Sequence, residues 1–404
     1  MTDQISKETV SIDIPRRKVR ERRSMSFILS IAMSVYLIVQ YYFPVFFDTE
    51  GTLLGYVFSS ISILSFVFAV ILIYTRCVRV ATRVFNTVVL FLCSAVLSLL
   101  MTASGIERTF GLLTILILFY VFHLDPLRKK ERSIVFITFI VTIAVIMLNG
   151  VPGDASLELP DGKFNPNGCA FLLAMLLCVA VVKFSLFKKK STLLLCAICL
   201  GLQLVYISRT ALLGIIMFSF LFLILKGNKK TFSPKIVFWT IFIFSMLGIV
   251  LCYIYSEVLF AQIGKGKIFI LGKDIFTGRE IIWNFTFKSI REHFWFGVGS
   301  HLNEGYYEAG YYKLIMNAHN QPLGMLAAFG FFPFLFFYVA FSIVSAIGYR
   351  KNSKWILGRA PAIFLFVITI MSYFDIYFFA QYNWIAIVIA YGLICSYSKK
   401  EKQK

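Results

Sequence analysis

Two arginines stand at positions where the sequence predicts the start of a helix. Arg209 follows Ser208, a favoured N-cap residue, and Arg279 lies between Thr277 and Glu280, which have the spacing of a capping box. The free N–H groups of a helix start and a guanidinium both favour an anion such as phosphate. The alternatives are a snorkelling Arg209 at a bilayer rim and a structural ion pair of Arg279 with Glu280 or Asp274.

A histidine occupies a third position of this kind. His319 stands shortly before Pro322, which suits the first turn of a helix. An imidazole titrates near neutrality and can take a proton from a hydroxyl group, although a lone histidine at an interface is more often structural. If the donor is a sugar on a lipid pyrophosphate, the leaving group is already acidic and no general acid is needed. The reaction then needs only a base for the acceptor hydroxyl and cations that hold the departing phosphates, and one histidine and two arginines supply both.

The composition requires lipid around these residues. The chain has 404 residues, of which 59% are hydrophobic and 15% charged, with a mean hydropathy of +0.81. A soluble globule is less apolar and more charged. The net charge of +20 does not indicate nucleic acid, because the basic residues form short clusters between apolar runs, as in membrane proteins.

The apolar runs predict an all-α, polytopic membrane helix bundle with about twelve transmembrane helices. Residues 322–349 form one of these runs. The predicted organisation has five parts: a basic cytoplasmic N-terminus at 1–25, helices one to nine at 26–255, an extracytoplasmic loop at 256–321, helices ten to twelve at 322–397, and a basic cytoplasmic tail at 398–404.

Orientation follows from the basic residues, most of which fall in alternate connections together with both termini. The positive-inside rule therefore places both termini in the cytoplasm and the long loop outside. That loop is rich in Trp, Phe and Tyr, so it is able to bury surface and is expected to contain short helices. One of them is predicted at about 278–292.

Several stretches together resemble the O-antigen ligase and O-antigen polymerase family of bacterial membrane proteins. They are SRTALLG at 208–214, TGREIIW at 277–283, EHFWFGVGSH at 292–301, AHNQPLG at 318–324 and FNPNGCAFLL at 164–173. The resemblance implies a metal-independent, inverting glycosyltransferase of the bacterial inner membrane with no cofactor, which moves oligosaccharide from undecaprenyl pyrophosphate to an acceptor hydroxyl. It implies His319 as the base and Arg209 and Arg279 as pyrophosphate ligands. Ser208, Asn167, Asn320 and Glu280 are candidates for supporting roles.

The resemblance leaves the acceptor open. A polymerase extends another lipid-linked glycan, and a chain-length regulator is then the usual partner; a ligase transfers to lipid A core, protein or another polymer. Polymerase is the preferred interpretation, because no extra acceptor-binding domain is visible. Two other classes remain as rivals: a twelve-helix transporter or flippase, and a metal-dependent glycosyltransferase that uses Asp48 and Glu50.

Overall fold

The computed structural model describes most of the chain from residue 61 onwards. The described residues are α-helical apart from a π-helix at Ile254–Leu259, one two-stranded hairpin and the short connections between helices. The described residues are 61–75, 80–102, 106–148, 166–206, 208–225, 232–259, 269–270, 273–274, 279–299, 318–352, 357–374 and 381–398. Two-residue strands β1 (Phe269–Ile270) and β2 (Lys273–Asp274) pair antiparallel. The helices are α1 Ile61–Thr75, α2 Thr82–Thr102, α3 Ile106–Leu124, α4 Lys129–Leu148, α5 Pro166–Phe187, α6 Lys190–Val205, α7 Arg209–Leu225, α8 Pro234–Tyr253, α9 Arg279–Glu292, α10 Gln321–Phe329, α11 Phe331–Asn352, α12 Ala360–Met371 and α13 Gln381–Ser398.

Five of the helices in these ranges are long and apolar enough to cross a membrane, and six shorter ones are apolar. The five are Thr82–Leu100, Lys129–Leu148, Asn167–Phe187, Pro234–Ser256 and Phe331–Arg350. The all-helical class and the membrane character are therefore as predicted from the sequence. The number of twelve helices stays a prediction, since residues 1–60 lie outside the described part.

The core lies where α3, α5, α11 and α13 pack together. Its largest buried side chains are aromatic, and the rings of Phe119 and Tyr391 meet at 4.6 Å between centroids. The outward faces of α6, α7 and α8 instead expose large apolar side chains, for example Leu204, Phe220 and Trp239. Such faces suit contact with lipid.

Helix α12 packs between α7 and α8. Its contacts with α7 define the two ends of the bundle. At its start, Nη1 of Arg359 donates to the carbonyl of Leu225, the last residue of α7, at 3.0 Å. Near its end, the side chain of Met371 fills the space beside Gly214 of α7. The two helices are therefore antiparallel. The end at Met371 is called the upper end below, and the end at Arg359 the lower end.

Helix α10 crosses the upper end of the bundle. Its first residue, Gln321, donates its N–H to the carbonyl of Ser372 just after α12, and its last turn lies against the chain at 297–299. Val298 and Gly299 donate to carbonyls of that turn at 2.9 Å each. Every residue of α10 is buried, because α9 covers its other side.

The apolar run 322–349 is broken into α10 and α11 at Gly330. This glycine has φ 81°, a left-handed conformation that favours glycine. A Cβ on it would also collide with the backbone of Trp295 and Phe296. The break was detectable in the sequence, since Pro333 follows within the run and suits the first turn of a new helix.

Basic side chains gather at the lower end. Besides Arg359, Nη1 of Arg132 donates to the carbonyl of Ser396, near the end of α13, at 3.2 Å. The end of a helix carries unpaired carbonyls and a partial negative charge, which favours such cations.

Candidate active site at the upper end

Three successive carbonyls, at residues 372–374, organise the upper end. The first accepts from the backbone N–H of Gln321 at 2.8 Å, the second from Nδ2 of Asn320 at 3.0 Å, and the third from Nη1 of Arg279 at 2.8 Å. Carbonyls at the end of α12 lack partners within the helix, and they lie at its negative pole. One turn of chain thus holds both the start of α10 and the cation at the start of α9.

Asn320 uses its side chain twice in this arrangement. Its Oδ1 accepts from the N–H of Leu323 at 2.9 Å, which makes it the N-cap of α10. Its Nδ2 donates to the carbonyl of Tyr373 and contacts Sγ of Cys252 in α8, each at 3.0 Å. The amide is fully buried. It therefore joins the start of α10 to α12 and α8 at once.

His319 precedes this amide and is held in an unusual backbone conformation. Its φ is 45°, in the left-handed region that non-glycine residues rarely adopt, at a cost of about 1–3 kcal/mol. The carbonyl of Ala318 accepts from Nε1 of Trp283 at 2.8 Å, so both neighbours of His319 are fixed. The imidazole is half-buried. The direction of the His319 side chain is therefore set by the hydrogen bonds that hold the residues before and after it.

Arg279 and Trp283 lie one turn apart on the same face of α9. The guanidinium is half-buried, and the carbonyl of Phe374 to which it donates is adjacent in the chain to the carbonyl of Tyr373 that Asn320 contacts. Arg279 and the segment containing His319 therefore meet at the same place. The predicted helix at 278–292 is present as Arg279–Glu292, while Thr277 and the side chain of Glu280 lie outside the described residues.

Arg209 reaches the upper end through the packing of α7. Gly214 lies beside Met371, and Arg209 is five residues earlier, about 7.5 Å further along the helix axis in the direction in which α12 ends. Ser208 is buried, and its Oγ accepts from the N–H of Ala211 at 3.5 Å, a long capping contact. The guanidinium of Arg209 is exposed.

Asn167 lies at the same end, in the first turn of α5, and is exposed. Helices α5 and α6 pack together and are joined only by residues 188–189, so they are antiparallel. The start of α5 therefore lies near the end of α6, which is close in the chain to Ser208. Asp48 and Glu50, the rival metal ligands, lie outside the described residues.

Sequence reasoning missed three partners of the site: the carbonyls at 372–374, Trp283 as a donor to Ala318, and Cys252. The carbonyls and Cys252 lie outside the stretches quoted above, and Trp283, although it ends the stretch at 277–283, carries no local signal of its contact with Ala318. Only the tertiary fold brings them to His319 and Arg279.

An all-helical bundle with several apolar helices long enough to cross a bilayer is the architecture of a multi-pass membrane protein. Residues 192–338 match the family described as O-antigen ligase, and this segment contains Arg209, Arg279 and His319. This segment is therefore similar to the O-antigen ligase family, and the match supports the family resemblance seen in the sequence. No curated protein matches the chain. The match points to a membrane glycosyltransferase-like enzyme with a lipid-linked glycan as its substrate.

Proposed function

We propose that the protein is a polysaccharide polymerase that transfers oligosaccharide from undecaprenyl pyrophosphate to a hydroxyl of another lipid-linked glycan. The observation that carries this proposal is the convergence of Arg279 and the His319 segment on the carbonyls at 372–374, at the end of the bundle where Arg209 also lies. Cations and a base at one end of an apolar bundle suit a lipid whose phosphates lie at the membrane surface.

The chemical step is a single displacement. The acceptor oxygen forms a bond to the anomeric carbon as the bond between that carbon and the pyrophosphate oxygen breaks. The acceptor proton passes to the imidazole of His319, and undecaprenyl pyrophosphate leaves with the bonding electron pair, so the anomeric configuration is inverted. Arg209 and Arg279 stabilise the charge that develops on the leaving phosphates. No step of this sequence requires a metal or a cofactor.

The predicted membrane topology belongs to the proposal. Twelve spans place both termini in the cytoplasm of a bacterial inner membrane and the upper end outside, where residues 256–321 form the extracytoplasmic loop. The basic cluster at the lower end, which includes Arg132 and Arg359, supports this orientation. The product would be a cell-envelope polysaccharide such as O-antigen or capsule, and a chain-length regulator is the expected partner.

A detergent assay separates the candidate functions. Purified protein is incubated with lipid-linked oligosaccharide extracted from cells that lack this chain, and the products are resolved by size. A ladder of polymers supports a polymerase, because a flippase needs a sealed bilayer. A single transfer to added lipid A core would instead identify a ligase. If neither the ladder nor the single-transfer product forms, the proposal is overturned.

Metal independence has its own test in the same assay. Activity should persist in EDTA and in the double variant Asp48→Ala, Glu50→Ala. Loss of turnover on chelation, with recovery on adding a divalent cation, would favour the metal-dependent rival instead.

A further inference from the structure

We propose that Tyr373 is a positioning residue, which sets the carbonyls at 372–374 so that Arg279 and His319 are held in reactive geometry. This inference rests on the proposed function and extends it to a residue outside the family-matched segment 192–338. Tyr373 does not itself contact substrate in this proposal. It acts through Asn320 and Arg279, which donate to the carbonyls of residues 373 and 374.

The side chain of Tyr373 is fixed against α8 in two ways. Its hydroxyl donates to the carbonyl of Phe244, and its ring packs on Gly248 one turn later in the same helix. The residue is 7% exposed. A methyl group at position 248 would lie 2.6 Å from Cδ1 of the ring and 2.7 Å from Cε1, well inside van der Waals contact. Glycine at this position therefore allows the ring to lie close against α8.

The backbone of the same residue faces the site. The carbonyl of Tyr373 accepts from Nδ2 of Asn320, and that of Phe374 accepts from Arg279. Because a tyrosine ring is rigid, a displacement of the ring is passed to its own backbone and from there to both donors. A shift of about 1 Å in reacting groups can lower a rate about 100-fold. The Tyr373 ring thus couples the position of α8 to the site.

Gly214 offers a matched comparison on the other side of α12. A methyl group there would meet the thioether of Met371, two residues before Tyr373. A methionine side chain is flexible and adapts to small changes in shape, so its backbone is expected to stay in place. A methyl group at Gly248 would displace the rigid ring of Tyr373, whose own carbonyl accepts from Asn320. A methyl group at Gly214 would displace only the flexible side chain of Met371.

The test measures kcat and KM for extracted lipid-linked oligosaccharide in Gly248→Ala, Tyr373→Ala, Tyr373→Phe and Gly214→Ala. We expect kcat to fall about 100-fold in Gly248→Ala and Tyr373→Ala, and to stay close to that of the parent in Gly214→Ala. Tyr373→Phe keeps the ring and should recover most of the loss. Thermal unfolding and gel filtration in detergent check that each variant is folded. If Tyr373→Ala does not fold, the comparison of kcat between Gly248→Ala and Tyr373→Phe tests the inference.

A double-mutant cycle separates positioning from general stability. Gly248→Ala is combined with Arg279→Lys, and we expect the joint loss to be smaller than the product of the separate losses, since both act on one contact. Independent, multiplicative losses would overturn the inference, as would parent-like kcat in both Gly248→Ala and Tyr373→Ala.

Failure of this inference is distinct from failure of the proposed function. His319→Ala and Arg279→Ala are measured in parallel. If these retain activity, the proposed function itself fails. If they lose it while the Tyr373 and Gly248 variants do not, only the positioning role is withdrawn.

Discussion

The indole N–H of Trp283 donates to the carbonyl of Ala318 at 2.8 Å, and both residues are buried. This bond joins the helix that begins with Arg279 to the segment that contains His319. Because Arg279 lies one turn before Trp283 on the same helix face, the bond fixes the distance between the proposed phosphate ligand and the proposed base. In the proposed mechanism, the geometry of the site depends on a tryptophan that contacts neither reactant.

Replacement of Trp283 by Phe should lower both stability and turnover. The ring volume is largely kept, but the buried carbonyl of Ala318 loses its donor, at a cost of about 1–3 kcal/mol. The apparent unfolding temperature and kcat in detergent are the measurements. Trp295→Phe is the control, since Trp295 is 53% exposed and lies beyond the other end of α9. Equal effects of the two substitutions would argue against a role for the Trp283 bond.

Loss of the imidazole should abolish most turnover without unfolding the protein. His319→Ala is expected to lower kcat by about 10²–10⁴-fold, the usual contribution of a positioned base. His319→Gly should be equally inactive and at least as stable, because glycine adopts a φ of 45° without strain. An active His319→Gly variant would show that the residue serves the backbone conformation and not the chemistry.

The guanidinium of Arg279 should not be replaceable by an ammonium group. Arg279→Lys keeps the charge but cannot both donate to the carbonyl of Phe374 and present a planar fork to phosphate. We expect weaker binding of undecaprenyl pyrophosphate and about tenfold or more lower kcat/KM, in line with loss of a charge-assisted hydrogen bond. Arg291→Lys, an exposed position in the last turn of α9, is the control. Unchanged binding in Arg279→Lys would remove the phosphate role.

Local features of the site could be predicted from the sequence because they depend on neighbours in the chain. The N-cap at Ser208, the helix beginning at Arg279 and the helix start near Pro322 follow from residue types at fixed short spacing. These features place cations and an imidazole at helix starts. They do not predict which of these helix starts lie close together in the folded protein.

The meeting of these helices could not be predicted, since it depends on backbone groups that carry no sequence signal. Arg279 donates to the carbonyl of residue 374, which is 95 positions away, and Asn320 donates to the carbonyl of residue 373, which is 53 positions away. Any residue type supplies a carbonyl. The left-handed His319 is likewise a product of tertiary contacts and not of local preference.

The break at Gly330 should be far less tolerant of a methyl group than a glycine on an open helix face. Gly330→Ala requires a positive φ in alanine and sets a Cβ against the backbone N of Phe296 at 2.5 Å, so it should cost about 2 kcal/mol or more. Gly201→Ala is the matched control: no atom lies within 4 Å of a Cβ there, and alanine in a helix interior stabilises by about 0.5–1 kcal/mol. Apparent unfolding temperatures in one detergent should therefore move in opposite directions. If Gly330→Ala unfolds at the parent temperature, the close packing of the 294–299 segment on the start of α11 is wrong.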